Sequence, residues 1–102
     1  MPRSPKCRII SREPDISFFK PKGIPLRNLV EITLTCDGLE ALKLVDVLGL
    51  DQETAASQMG VSRQTFGRIL SEARRTVATA IVSGYALRIT GGHYHVGGMG
   101  NE

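Results

Sequence analysis

Three side chains able to read DNA bases lie close together near the middle of the chain. Arg63, Gln64 and Arg68 follow a turn signal at Gly60. An arginine guanidinium matches the O6 and N7 acceptors of guanine, and a glutamine amide matches the N6 and N7 of adenine. Their spacing puts them in the first turns of a helix, which is the part that enters the major groove in helix-turn-helix proteins. The pattern therefore predicts base recognition in double-stranded DNA.

Other polar residues of the same stretch are candidates for additional DNA contacts. Ser62 and Thr65 suit phosphates or bases, whereas Arg74 and Arg75 lie further along and would either meet phosphates or be simply solvated. Gly67 costs about 1 kcal/mol relative to alanine inside a helix, and we hypothesise that its missing side chain lets the backbone approach the groove. The predicted DNA-binding residues are Ser62, Arg63, Gln64, Thr65, Gly67, Arg68, Ser71, Arg74 and Arg75.

The elements that must position these residues form a helix-turn-helix pattern. Asp51 is suited to cap a short helix that ends near Met59, Gly60 suits the positive φ of the turn, and Ser62 is suited to cap the next helix. That last helix is predicted from about Arg63 to Ser83. One apolar stripe recurs along it at spacings of three and four and is predicted to be buried, namely Phe66, Ile69, Leu70, Ala73, Val77, Ala80 and Ile81.

Further elements flank this unit on both sides. Thr35 or Asp37 can cap a helix over residues 34–48, which Gly49 would end. Residues 30–35 alternate like a strand, and residues 86–90 and 93–96 predict a strand or a weak hairpin. The predicted fold class is mostly α, with a three-helix helix-turn-helix core, an extended basic N-terminal arm and a small C-terminal strand or hairpin.

The charge distribution divides the chain into basic ends and an acidic middle. Residues 1–27 hold seven Lys/Arg and two Asp/Glu, residues 28–62 hold one Lys and six acids, and residues 63–102 hold five Arg and two Glu. A polyanion would be met by the basic ends, with the acidic part turned away from it.

Three segments follow from this composition. Residues 1–29 are predicted to be a basic Pro/Gly-rich arm that partly packs through Phe18, Phe19, Ile24 and Leu26. Residues 30–96 are predicted to be the DNA-binding domain, and residues 97–102 a flexible tail. The arm offers four cations that either contact the minor groove or phosphates, or only make the segment soluble. They are Arg3, Lys6, Arg8 and Arg12.

Several function classes are disfavoured by the sequence. No apolar run approaches the roughly 20 residues of a membrane span, and no secretory signal is evident, so we expect a cytoplasmic protein that joins the nucleoid when bound to DNA. Nucleophile elbows, phosphate loops and HExxH motifs are missing, and acids such as Asp37 and Glu40 look like caps or surface. We therefore expect no enzymatic activity and no cofactor. Cys7, Cys36, His93 and His95 lack the spacing of a metal site, so no metal is expected.

Two family resemblances follow from these motifs. The chain is similar to the C-terminal promoter-reading region of bacterial sigma factors in Leu34-Thr35, Leu39–Leu44, Gly49-Leu50 and the helix-turn-helix. This likeness covers about half of the chain, and it implies a compact helical domain whose last helix reads the major groove.

The second resemblance covers about nine tenths of the chain. The chain resembles a family of small uncharacterised prokaryotic proteins predicted to bind DNA, which implies a sequence-specific regulator. The chain departs from that family's pattern at Gly38, where an acidic capping partner is usual, at Asp51, and at His93-Tyr94-His95. The Gly38 departure predicts a less firmly held start of the first helix. The matching pieces are Met1-Pro2-Arg3, Cys7-Arg8, Phe19-Lys20-Pro21, Gly23, Pro25-Leu26, Leu39–Leu44, Met59–Leu70, Ala73-Arg74, Ala86-Leu87 and Gly91-Gly92.

The sequence thus predicts a double-stranded DNA-binding protein, most simply a transcriptional regulator. Because operators are often two-fold symmetric, a homodimer is plausible, with residues 30–34 and the C-terminal segment as candidate dimer surfaces. Two alternatives are a protein-interaction module of the transcription machinery and a thiol- or metal-responsive regulator.

Overall fold

The computed structural model describes residues 7–97, which form three α-helices and five short strands. The helices are α1 (Cys36–Leu42), α2 (Gln52–Met59) and α3 (Arg63–Ser83). A π-helical turn, Lys43–Val47, continues α1 directly, and a 3-10 turn lies at Leu26–Asn28. The strands are β1 (Arg8–Ile10), β2 (Phe18–Phe19), β3 (Glu31–Leu34), β4 (Ala86–Ile89) and β5 (Tyr94–Val96).

The start of α1 is held firmly, against the expectation from Gly38. Thr35 Oγ1 accepts a hydrogen bond from the Gly38 N–H at 3.1 Å, which confirms Thr35 as the N-cap. A Cβ at Gly38 would stand only 3.0 Å from that Oγ1 and 3.2 Å from the Cβ of Ala73 on α3. The glycine therefore allows the first turn of α1 to pack closely against α3.

The strands form two small sheets. In the three-stranded sheet the order is β2-β4-β3, with β2 antiparallel and β3 parallel to β4. In the two-stranded sheet β1 runs parallel to β5. The connection from β3 to β4 contains α1, α2 and α3. These helices form the crossover that two parallel strands require.

Within the predicted arm, the described residues 7–29 are tied to the folded body by two strands. Strand β1 pairs with β5, and β2 pairs with β4. Ile10 is 1% exposed, whereas Phe19 and Leu26, which were expected to anchor the segment, are 54% and 42% exposed. Pairing with distant strands, which local patterns do not reveal, ties this segment down.

The C-terminal strands do not form the predicted hairpin. Strands β4 and β5 belong to different sheets, and Gly91 and Gly92, with φ of 76° and 101°, lead the chain from one sheet to the other. The predicted tail begins at Gly97, whose N–H donates to the Ile10 carbonyl at 3.0 Å. Residues 98–102 lie outside the described residues.

Two apolar clusters hold the elements together. One lies between the sheets, α1 and α3, and consists of Ile10, Leu34, Cys36, Ala73, Ala80, Leu87 and Ile89. The other joins the three helices and consists of Ala41, Leu44, Ala55, Ala56, Met59, Phe66 and Leu70. The predicted stripe of α3 is correct up to Ala80 but wrong at Ile81, which is 76% exposed because it lines an open groove together with Pro21 and Leu42.

Two acids expected at the surface are buried. Asp37 is 7% exposed and Glu40 is 9% exposed. Arg8 Nε lies 3.6 Å from Asp37 Oδ2, and Glu40 accepts a hydrogen bond from Ser11 Oγ at 3.1 Å. These acids are buried because the N-terminal segment, placed by its strand pairing, covers that side of α1.

Candidate nucleic-acid interface

Helix α2 is joined to α3 by a tight turn. Asp51 Oδ1 accepts from the Thr54 N–H at 2.7 Å and caps α2, which lowers the pKa of this carboxyl through that hydrogen bond. Gly60 ends α2 with φ 69° and ψ 30°, and the Val61 N–H returns to the Ala56 carbonyl at 3.0 Å. Because a left-handed residue is least strained as glycine, the predicted turn chemistry is confirmed.

The start of α3 is fixed by two hydroxyl groups. Ser62 Oγ accepts from the Thr65 N–H at 3.0 Å and also donates to Thr65 Oγ1 at 3.0 Å. Ser62 thus caps α3 as predicted. Because the two hydroxyls bind each other, a phosphate or base would have to share them with this cap.

The two long faces of α3 differ sharply in character. Phe66, Leu70 and Ala73 are 0%, 1% and 3% exposed and face the other helices. Four polar side chains share the opposite face at spacings of three and four, and all of them are exposed, namely Gln64, Arg68, Ser71 and Arg75. This set is called the polar face below.

The arginines of α3 fall into two groups. Within residues 7–97, Arg63, Arg68 and Arg75 are exposed and take part in no ion pair. Arg74 instead forms a two-pronged ion pair with Asp46, with Nη2 to Oδ1 at 2.7 Å and Nε to Oδ2 at 3.0 Å. The hydrogen bond from Arg74 lowers the pKa of Asp46 and raises that of Arg74. Arg74 therefore links α3 to the π-helical turn that continues α1.

Gly67 has room for a side chain within the protein. A Cβ there would stand 3.5 Å from Arg63 Nη1 and 3.7 Å from Gln52 Oε1, both ordinary contact distances. Packing of the chain against itself therefore does not explain this glycine.

The predicted arm cations are differently placed. Arg3 and Lys6 lie outside the described residues. Arg8 is half-buried and near Asp37, and Arg12 forms an exposed ion pair with Asp15. Arg8 and Arg12 thus have partners within the chain, which a local sequence pattern does not show.

A groove beside the polar face adds residues that sequence reasoning missed. It has a volume of about 630 Å³ and runs between α3 and β3. Besides Arg68, Ser71 and Arg75 it is lined by Ile32, Thr33, Glu72, Thr76 and Thr79. The spacing of four from Arg68 to Glu72 to Thr76 could have indicated the helical residues, but the strand residues depend on tertiary packing.

The metal candidates are dispersed. Cys7 is exposed and Cys36 is buried. In the described part of the chain, no group of three His, Cys, Asp or Glu side chains could hold a metal ion.

Tyr94 hydrogen-bonds with Cys36 and Glu13, and these bonds raise the pKa of Tyr94 to about 12. Tyr94 Oη lies 3.0 Å from Glu13 Oε1. None of the helices within residues 7–97 combines the length and the apolar character that a membrane span requires.

Similar chains occur in diverse bacteria. The chain is 54% identical to the UPF0251 protein of Desulfosudis oleivorans over 92% of this chain and 68% of that protein. It is 54% identical to that of Rhodospirillum rubrum over 90% and 64%, and 51% identical to that of Thermoanaerobacter sp. over 94% and 85%. The chain thus spans about two thirds of the length of the first two relatives. No solved structure matches it.

A family model matches the whole of the described fold. The model is described as "Protein of unknown function DUF134" and covers residues 1–97, from the N-terminal segment through β5. The chain therefore belongs to the DUF134 family, whose members include the UPF0251 proteins.

Proposed function

We propose that the chain binds double-stranded DNA in a sequence-specific manner and regulates transcription. In this proposal α2, the Gly60 turn and α3 form a helix-turn-helix. The first turns of α3, with Arg63, Gln64 and Arg68, enter the major groove, where their side chains reach base edges.

The polar face of α3 carries this proposal. A helix whose buried stripe is anchored by Phe66 and Leu70 cannot rotate, so the opposite face is presented in one orientation. Arg68 and Arg75 on that face are exposed, unpaired cations within the described residues. Desolvating a cation against DNA is less costly when no internal ion pair must first be broken.

The positions along α3 suggest a division of labour. Arg63 and Gln64 lie in the first turn and suit base contacts. Arg75 lies about 18 Å further along the axis than Arg63, at about 1.5 Å per residue, and suits a phosphate at the edge of the groove. The sequence left both Arg74 and Arg75 between phosphate contact and simple solvation. Arg74 is paired with Asp46 and suits neither role, so Arg75 is the better candidate for a phosphate contact.

The test is a binding titration with duplexes selected from a random pool, followed by fluorescence anisotropy at several salt concentrations. Arg63→Ala should weaken binding to the selected duplex by roughly 1–3 kcal/mol and relax preference at one base pair. Arg75→Ala should weaken all duplexes alike and make the log–log salt slope shallower by about 0.9.

Arg74→Ala is the matched control, since it removes an arginine side chain from the position directly before Arg75. It should leave both the salt slope and the sequence preference near those of the wild type. If no duplex is enriched, or if binding to DNA is insensitive to salt, the proposal fails, and the alternative of a protein-interaction surface gains support.

A further inference from the structure

Strand β3 has one edge without a partner strand. The sheet order β2-β4-β3 gives it a single neighbour among the described residues. On the β4 side, the carbonyls of Val30 and Leu34 accept hydrogen bonds from Ala86 and Thr90 at 2.8 and 3.1 Å. Alternate residues of a strand turn their backbone groups to opposite sides. Val30, Ile32 and Leu34 therefore turn their backbone groups toward β4. The backbone N–H and C=O groups of Glu31 and Thr33 face the free edge.

This edge carries few of the features by which proteins usually prevent strand pairing. Residues 30–34 contain no proline, glycine or lysine, and the Glu31 side chain forms an ion pair with Arg88 of the neighbouring strand. By contrast, β2 at the other edge of the sheet is only two residues long and is followed closely by Pro21. An unprotected edge with free polar backbone groups favours pairing with another strand.

The space next to this edge is open. The groove of about 630 Å³ lies along Ile32 and Thr33 on one side and along α3 on the other. The α3 wall includes two hydroxyl side chains, Thr76 and Thr79, which can form hydrogen bonds with polar groups of an added strand. Arg68, Ser71 and Arg75 also line this wall, so an added strand would lie beside three residues of the polar face. A strand could therefore enter without displacing part of the described chain.

We propose that a second copy of this chain occupies the groove by adding its β3 antiparallel to this one. A two-fold axis through Ile32 would pair Glu31 with Thr33 of the partner subunit, and Thr33 with the partner subunit's Glu31. Both pairs exchange reciprocal backbone hydrogen bonds. The two three-stranded sheets then become one continuous sheet.

A second copy fits because the edge is complementary to itself. In this register the Thr33 hydroxyl faces the partner's Glu31 carboxylate, which accepts its hydrogen bond. Ile32, half-buried in the single chain, meets the partner's Ile32 and loses its remaining contact with water. The edge is only four residues long, so the interface is small and the dimer depends on concentration.

The test is the mass of the full chain without DNA, measured by sedimentation over a wide concentration range. The wild type should associate reversibly to a dimer. Thr33→Pro removes the backbone N–H that faces the partner subunit and leaves the hydrogen bonds to β4 intact. The circular dichroism spectrum of the variant should therefore match that of the wild type. Its dimer should dissociate roughly 10- to 100-fold more readily. Thr33→Ala keeps the N–H and is the matched control, with a much smaller effect.

A second pair of variants tests the register. Thr33→Glu places two carboxylates opposite each other at both pairs and should weaken the dimer. Thr33→Lys places opposite charges there and should strengthen it. Within the single chain Thr33 pairs with Arg88, so stability of the monomer should change in the reverse sense.

A wild type that stays monomeric at the highest concentration, or a dimer indifferent to Thr33→Pro, would overturn the proposal. Because this mass is measured without DNA, failure of DNA binding would leave the result unaffected. Conversely, a strict monomer that still selects a duplex would refute the dimer while sparing the proposed function.

Discussion

Replacing Gly67 with alanine separates the demands of folding from those of DNA binding. The added methyl would have contacts of 3.5 and 3.7 Å to flexible side chains, so no clash opposes it. Alanine is better than glycine inside a helix by about 1 kcal/mol. We therefore expect Gly67→Ala to stabilise the protein by about 0.5–1 kcal/mol. If the backbone approaches the duplex here, the same methyl should weaken DNA binding by about tenfold, or ~1.4 kcal/mol.

The assay combines urea denaturation with duplex titration. With an m-value of about 1–3 kcal/mol/M, the unfolding midpoint should rise by roughly 0.2–1 M. Ala78→Gly is the reverse control, because Ala78 is exposed on α3 beyond the proposed base contacts. It should lower stability by about 1 kcal/mol and leave DNA affinity unchanged. A Gly67→Ala protein that is stabilised yet binds DNA like the wild type would refute the close approach, and a destabilised one would refute the free space.

Three further changes give separate outcomes. Arg74→Ala should lower the free energy of unfolding only slightly, since solvent screens this exposed ion pair. Arg74 lowers the pKa of Asp46, so this stabilisation is present above the ordinary carboxyl pKa and is lost as pH falls through the pKa of the folded state. The urea midpoints of variant and wild type should therefore converge in acid. A constant difference between the two midpoints would contradict this. Gly92→Ala should lower thermal stability by about 2 kcal/mol or more, because φ is 101° and the Cβ would overlap a buried carboxylate oxygen; an unchanged melting temperature would exclude that overlap. The hydrogen bond with Cys36 raises the pKa of Tyr94 to about 12. The contribution of Tyr94 to the free energy of unfolding should therefore be fully present below about pH 10 and decline as pH rises toward about 12. Tyr94→Phe should abolish this decline, and an absorbance titration in which both tyrosines ionise together would disprove it.

The helices could be predicted because their ends are set by neighbouring residues. Ser62 and Thr65 are three positions apart, as are Asp51 and Thr54, and Gly60 and Gly84 end their helices with φ near 70°. Such caps act within one turn, so the sequence contains them fully. The polar face of α3 follows from the same short-range periodicity.

The strand pairing and several side-chain roles could not be predicted, because they join distant positions. Arg8 pairs across the sheet with Tyr94, and Arg74 finds its acid at Asp46. Ile81 fits the apolar period of α3 but lies where no other element covers it. Periodicity identifies a face that can be buried, whereas burial depends on which element arrives there.

The parallel pair of β1 and β5 has a consequence for the order of events during synthesis. Ile9 of β1 lies against the Gly60 turn, where an added Cβ would come within 3.2 Å of its Cδ1. Ile9 is aligned with His95 in the opposite strand. A ribosome therefore completes α2 and α3 before it has made the strand that holds Ile9 in place. Packing of Ile9 against the turn must therefore wait for nearly all of the described chain, as contacts distant in sequence form late.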